Sequence, residues 1–232
     1  MDYLYLLLNI GSLSIPFIFS FHPKLKFYKH WKSLIIGIII SMLIFIPWDV
    51  FFTIKGIWGF NPTYFLGAKI FNLPIEEWLF FICIPYACVF THYSLLHYFP
   101  NFKLPKSASK TIGYLFVVSF FIISIYNYTK WYTLVNFILA AILIIIVINK
   151  KPELLRSFFL TFIIMLIPFF IVNGILTGSF IENEVVWYNN TENLNIRLFT
   201  IPIEDTIYAF TLILLNLFVV ESLEAKNENL IN

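Results

Sequence analysis

Residues 73–81 read LPIEEWLFF, and residues 201–210 read IPIEDTIYAF. Each stretch has an apolar residue, Pro, Ile, Glu and a second acid, and an aromatic residue follows four positions after the first Glu (Phe80 and Tyr208). Two copies of one motif in a single chain indicate an internal repeat. Each copy stands at the start of an apolar stretch, so the two copies are predicted to begin two corresponding helices.

The similarity extends upstream of both copies. Trp58-Gly59-Phe60-Asn61 precedes the first copy, and Trp187-Tyr188-Asn189 precedes the second at nearly the same distance, so that Trp58 is aligned with Trp187. Each half also has a polar residue near the end of the preceding apolar run, Asp49 in the first half and Asn173 in the second. The repeat therefore covers more than the two acidic motifs.

Composition places the chain in the membrane. Of its 232 residues, 60% are hydrophobic and 12% are charged, whereas soluble domains carry about 25% charged residues. A disordered or water-soluble chain is excluded on this basis. The net charge of +2 gives no reason to expect a nucleic-acid partner.

Seven apolar stretches approach the length of about 20 residues that a helix needs to cross a bilayer. The break between the fourth and fifth is short, since only residues 128–130 separate them. The predicted spans are Tyr3–Phe21, Ser33–Phe52, Pro74–Tyr98, Thr111–Asn127, Trp131–Asn149, Ser157–Leu176 and Pro202–Val220.

The predicted fold is an all-α integral membrane protein of about seven transmembrane helices, with two parallel three-helix repeats joined by an extra helix. Residues 1–100 form the first repeat, residues 111–127 the linking helix and residues 131–221 the second repeat. The extra span gives both halves the same direction through the membrane. Internal symmetry of this kind favours a working site at the interface of the repeats.

The distribution of basic residues predicts the orientation. Eleven Lys and Arg residues fall in the first, third and fifth connections and the C-terminal tail, and four fall on the other side. The positive-inside rule therefore places the C-terminus in the cytoplasm and the N-terminus outside, in a multi-pass cell membrane protein.

The acidic pairs allow two interpretations. Pro in the first turn followed by acids is a favourable helix start, so the motifs could be purely structural. Ionisable residues at the start of otherwise almost uncharged apolar helices are costly, however, and by default mark function. Burial and mutual repulsion would leave some of four facing carboxyls protonated and others charged, as acid–base chemistry requires. The candidate catalytic residues are Glu76, Glu77, Glu204 and Asp205.

At these residues the chain resembles the small membrane-integral lycopene cyclases of bacteria, archaea and fungi. That family carries two three-helix repeats, each with a P-x-E-[E/D] motif, which Pro74–Glu77 and Pro202–Asp205 match. The W-G-F-N stretch and V-N-G-x-L-T, at residues 172–177, add to the resemblance. It covers nearly the whole chain and indicates the fused form of the family.

The resemblance implies a lycopene β-cyclase-like intramolecular lyase that cyclises the ends of lycopene, or a related linear carotene, to β-ionone-type rings without net redox change. No cofactor and no metal are expected, since the chain has no dinucleotide-binding or metal-ligand pattern. The expected partners are the linear carotenoid, the lipid bilayer and other membrane enzymes of carotenoid biosynthesis. Residues that could contact the substrate or steady its cation are Trp78, Phe80, Tyr208, Phe210, Asp49 and Asn173.

Two alternatives remain open from the residues alone. A proton-coupled carrier of a small solute also uses repeats with acids near helix ends. A structural membrane protein would use the acids only as helix starts.

Overall fold

The computed structural model describes residues 3–231, with side chains up to residue 226, and confirms the all-α fold. The short break at residues 128–130 does separate two helices. The seven helices in the described residues are α1 (Leu4–Phe19), α2 (Trp31–Lys55), α3 (Ile75–Tyr98), α4 (Lys106–Tyr126), α5 (Trp131–Lys150), α6 (Pro152–Leu176) and α7 (Ile203–Ile231).

The helices are suited to a lipid environment. Among the described residues, six helices are long and apolar enough to cross a bilayer. Helix α1 has 16 residues and is thus about 24 Å long, somewhat short of a hydrocarbon core of about 30 Å. Large apolar side chains such as Leu43, Ile125 and Ile167 point outward from the bundle. The protein is an integral membrane protein.

The two halves pack alike. Helix α1 packs along α3 in the first half, and α5 packs along α7 in the second. Helix α2 crosses to the other half and packs on α7, while α4 covers α5. Helices α1–α3 thus correspond to α5–α7, with α4 as the extra helix between them.

Two long connections lie together at one end of the bundle and contain all the strands of the described residues. One strand from each connection forms an antiparallel pair, which ties the halves together. Each connection then makes a small hairpin that runs directly into a helix. The strands are β1 (Trp58–Phe60), β2 (Lys69–Ile70), β3 (Leu73–Pro74), β4 (Val186–Tyr188), β5 (Arg197–Leu198) and β6 (Ile201–Pro202).

The strand register corrects the upstream alignment by one position. Asn61 and Asn189 are equivalent, because each side chain accepts a hydrogen bond from the backbone N–H two residues later. Two residues before them, Gly59 lies opposite Trp187 in the β1–β4 pair. Gly59, and not Trp58, is therefore the counterpart of Trp187. A Cβ atom on Gly59 would lie 2.4 Å from Cζ2 of Trp187, so only glycine leaves room for the indole ring.

Candidate active site

The second acid of each motif faces a common cavity. Glu77 at the start of α3 and Asp205 at the start of α7 both line a cavity of about 650 Å³. Their side chains are 8% and 4% exposed, respectively. The repeat thus brings one carboxyl from each half into one site.

A second carboxyl, that of Asp49 on α2, accompanies Glu77. The Tyr5 hydroxyl donates a hydrogen bond to Oε2 of Glu77, and the Asp49 carboxyl lies within hydrogen-bonding range of Glu77. Trp58 donates its indole N–H to Oδ1 of Asp49 at 2.7 Å. Oδ2 of Asp49 is buried and has no other hydrogen-bond partner among the described residues.

Asp205 has a different set of partners. The Tyr132 hydroxyl donates to its Oδ1 at 2.5 Å, and the Tyr188 hydroxyl donates to its Oδ2 at 2.9 Å. Burial, and next the nearby Asp205 carboxylate, raise the pKa of Tyr188, which lies in β4 outside the helices, well above its usual value. The Tyr188 hydroxyl therefore keeps its proton and remains a donor.

The first acid of each motif fastens a connection to the bundle. Oε1 of Glu76 accepts the Leu66 N–H at 2.8 Å. Oε1 of Glu204 accepts the Leu194 N–H and the Thr133 hydroxyl, both at 2.7 Å. Glu76 and Glu204 are fully buried and do not line the cavity. Of the four predicted carboxyls, the structure brings only Glu77 and Asp205 together in the cavity.

The neighbouring helices hold the motifs by a matched pair of contacts. Asn9 on α1 donates its side-chain N–H to the carbonyl oxygen of Glu76 at 2.8 Å, and Asn136 on α5 does the same to Glu204 at 2.6 Å. Each Asn follows, by one helical turn, the Tyr that binds the second acid (Tyr5 and Tyr132). Sequence reasoning missed these tyrosines, although the repeated Tyr-x-x-x-Asn spacing is a signal that could have revealed them.

Apart from its acidic end, the cavity is apolar and opens to the side. Leu7, Ile15 and Ile171 line it and are also exposed on the bundle surface, so the opening lies between α1 and α6. Beyond the acids, the walls come from α1, α3, α6 and α7. They include Leu8, Gly11, Ile84, Ala87, Cys88, Thr91, Phe162, Met165, Phe169, Val172, Leu212 and Ile213.

The residues predicted to contact the substrate fall into two groups. Four of them line the cavity, namely Phe80, Tyr208, Asp49 and Asn173. The other two do not. Trp78 donates its indole N–H to the Ile70 carbonyl at 3.3 Å, away from the cavity. Phe210 is packed in the core against Phe158, with the ring centroids 4.9 Å apart, because its position on α7 turns it toward α6.

Comparisons with known proteins agree on the family. A family model described as lycopene cyclase matches residues 2–95 and 129–223, which together are well over half of the chain. A bifunctional lycopene cyclase/phytoene synthase from Podospora anserina is 35% identical over 49 residues, 21% of this chain and 8% of that protein. The match thus spans less than a tenth of that relative's length. No solved structure matches the chain. The chain belongs to the lycopene cyclase family.

Proposed function

We propose that the protein cyclises the end groups of lycopene, or a related linear carotene, to β-type rings by an acid-initiated reaction without net redox change. The observation that carries this proposal is the position of Glu77 and Asp205, one from each repeat, in a single apolar cavity. The chemistry requires a proton donor and a proton acceptor at one hydrocarbon end group, and two buried carboxyls supply both.

The proposed reaction balances without a cofactor. A proton adds to the terminal double bond and leaves a tertiary cation, which a neighbouring double bond attacks to close a six-membered ring. The base then removes a proton from the ring carbon that carries the polyene, which gives the β-type ring. One proton enters and one leaves, so the product is an isomer of the substrate and the enzyme is an intramolecular lyase.

The walls and the opening support a lipid-dissolved substrate. Hydrocarbon side chains exclude water, which would otherwise capture the cation. The opening between α1 and α6 faces the surroundings of the bundle, so a long chain can enter sideways from the bilayer. A cavity of about 650 Å³ is within the range of about 300–1,000 Å³ typical of small-molecule sites, which suits one end group at a time.

Aromatic rings stand where a cation would form. Tyr208 and Phe80 occupy the same position in the two motifs, and both line the cavity beside the acids. The ring of Tyr208 packs against Phe45 and Trp48, with centroids 5.0 and 5.1 Å apart, which fixes its orientation. We assign these two rings to cation stabilisation through their π-faces.

The first acids, Glu76 and Glu204, are positioning residues in this proposal. They hold the connections that carry β1 and β4 against the helix starts. Strand β1 in turn supplies Trp58 to Asp49, which lies beside Glu77, and β4 supplies Tyr188 to Asp205. The two domains proposed from the sequence, residues 1–100 and 131–221, thereby share one site, with residues 111–127 as the link.

The membrane setting is also part of the proposal. With the C-terminus in the cytoplasm, the acidic end of the cavity lies toward the outer side, and the protein is a multi-pass protein of the cell membrane. Other membrane enzymes of carotenoid biosynthesis are possible partners. The name of the Podospora anserina relative, which joins a lycopene cyclase to a phytoene synthase, is consistent with such proximity.

The test is expression in cells that accumulate lycopene, followed by chromatography of the pigments. We expect cyclic carotenes from the wild type and unchanged lycopene from Glu77→Gln and Asp205→Asn at equal membrane levels. Purified protein in lipid and heavy water should place one deuterium in each ring, with no added nicotinamide or flavin. Unchanged lycopene with the wild type, especially with solute uptake into the cells, would reject the cyclase in favour of the carrier.

A further inference from the structure

The two halves of the site differ in one respect that the repeat does not predict. Helices α2 and α6 both have 25 residues, and each carries a proline 16 residues after its first residue (Pro47 and Pro168). Two residues beyond these prolines stand Asp49 in α2 and Phe170 in α6, so that Asn173, which the sequence comparison matched to Asp49, lies three residues further along α6. The first repeat therefore brings a carboxyl to the cavity that has no counterpart in the second.

We propose that Asp49 and Glu77 share one proton and together form the donor that starts the cyclisation, while Asp205, held by Tyr132 and Tyr188, is the base that ends it. This inference rests on the proposed function above and assigns the direction of proton flow within the site.

The hydrogen-bond pattern around Asp49 leaves a place for a proton between Asp49 and Glu77. Oδ1 accepts the Trp58 indole N–H, while the buried Oδ2 finds no donor among the described residues. A carboxylate can only accept hydrogen bonds, and the neighbouring carboxyl of Glu77 can donate one only if a proton lies between them. Two buried like charges in contact repel strongly, and a single shared proton removes the repulsion and satisfies both groups.

The pattern around Asp205 is the opposite. Both of its oxygens accept hydrogen bonds from tyrosine hydroxyls, which are donors with protons to give. This arrangement matches a charged carboxylate, because two donors compensate for the water it has lost. Tyr5 gives Glu77 only one such donor. The site is therefore arranged with a protonated pair on the side of the first repeat and a charged acceptor on the side of the second.

Asp49→Asn is the discriminating variant. Its amide oxygen can still accept from Trp58, and its amide N–H can donate to Glu77, so the contacts of the pair are preserved while the proton that can be transferred is lost. We expect cyclisation to fall by about 10²–10⁴-fold, the usual size of a general acid contribution. The exposed carboxylate of Glu182 provides the control, since Glu182→Gln is the same type of exchange outside the cavity and should leave the rate unchanged.

Infrared spectroscopy of the protein in lipid separates a proton donor from a structural residue. The wild type should show a C=O stretching band of a protonated carboxyl that shifts in heavy water. Asp49→Asn and Glu77→Gln should each remove this band, whereas Asp205→Asn should keep it although it also abolishes cyclisation. Normal cyclisation by Asp49→Asn, or loss of the band only in Asp205→Asn, would overturn the assignment.

The same measurements separate this inference from the proposed function. A wild type that forms no ring would reject the cyclase itself. A wild type that forms rings, together with an active Asp49→Asn variant, would reject only the proton-sharing pair. If Asp49→Asn does not reach the membrane, the band comparison among wild type, Glu77→Gln and Asp205→Asn decides the question without it.

Discussion

Replacement of Glu204 tests whether the first acid of each motif supports the structure or takes part in the chemistry. Its Oε1 is the common acceptor for the Leu194 N–H and the Thr133 hydroxyl. Glu204→Ala leaves the buried Thr133 hydroxyl and the half-buried Leu194 N–H without this acceptor, at a cost of about 1–3 kcal/mol each. The variant should therefore lose roughly 2–6 kcal/mol of stability.

Glu204→Gln is the matched variant. The amide oxygen replaces Oε1 and can keep both hydrogen bonds, while the amide nitrogen replaces Oε2, which is buried and has no partner among the described residues. One unpaired polar group is thus exchanged for another. We expect this variant to retain most of the stability and most of the cyclase activity.

Thermal unfolding in detergent and pigment chromatography together provide the assay. Glu204→Ala should melt on the order of 10 °C below the wild type, and Glu76→Ala, which removes only the bond to Leu66, should lose about half as much stability. A Glu204→Gln protein that is folded and melts normally but cyclises 100-fold more slowly would refute the assignment, because it would place the first acid in the proton transfer.

Three further variants probe the β1–β4 strand pair, the proposed base Asp205 and the cavity. Gly59→Ala should lower the stability by about 1–3 kcal/mol and also lower the activity, because the new Cβ would meet the indole of Trp187. A second change, Trp187→Ala, should restore the melting temperature. No recovery in the double variant would argue against this clash. Tyr188→Phe removes one donor to Asp205. At an unchanged expression level, it should slow cyclisation by about 10–100-fold, which corresponds to the free energy of a hydrogen bond to a charged group. Equal rates would show that Tyr188 does not support the base. Gly11 lines the cavity, and there is open space where its side chain would be. Gly11→Phe should therefore fold normally yet fail to cyclise lycopene in the chromatographic assay, whereas Gly11→Ala should remain active. Full activity of Gly11→Phe would place the substrate elsewhere.

The spacing of the acids along the chain could not separate their roles. Glu76 and Glu77 are adjacent on α3, and one residue rotates a helix by about 100°. That rotation turns Glu76 toward the Leu66 N–H and Glu77 toward the cavity. The same division between Glu204 and Asp205 became visible only when the folded connections and α5 supplied their donors.

The sequence by itself determined the membrane class, the seven helices, the repeat and the two acidic motifs. These features depend only on the length of the apolar stretches and on short motifs of neighbouring residues. The sequence also marked Asp49 as a polar residue near the end of the second apolar stretch. Only the tertiary structure decided that Asp49 lies against Glu77, that Tyr132 and Tyr188 converge on Asp205, and that Trp78 and Phe210 point away from the cavity. The contacts of Glu77 and Asp205 named here join residues 17 to 73 positions apart in the chain. They depend on the crossing of helices and the pairing of β1 with β4, which no local pattern encodes.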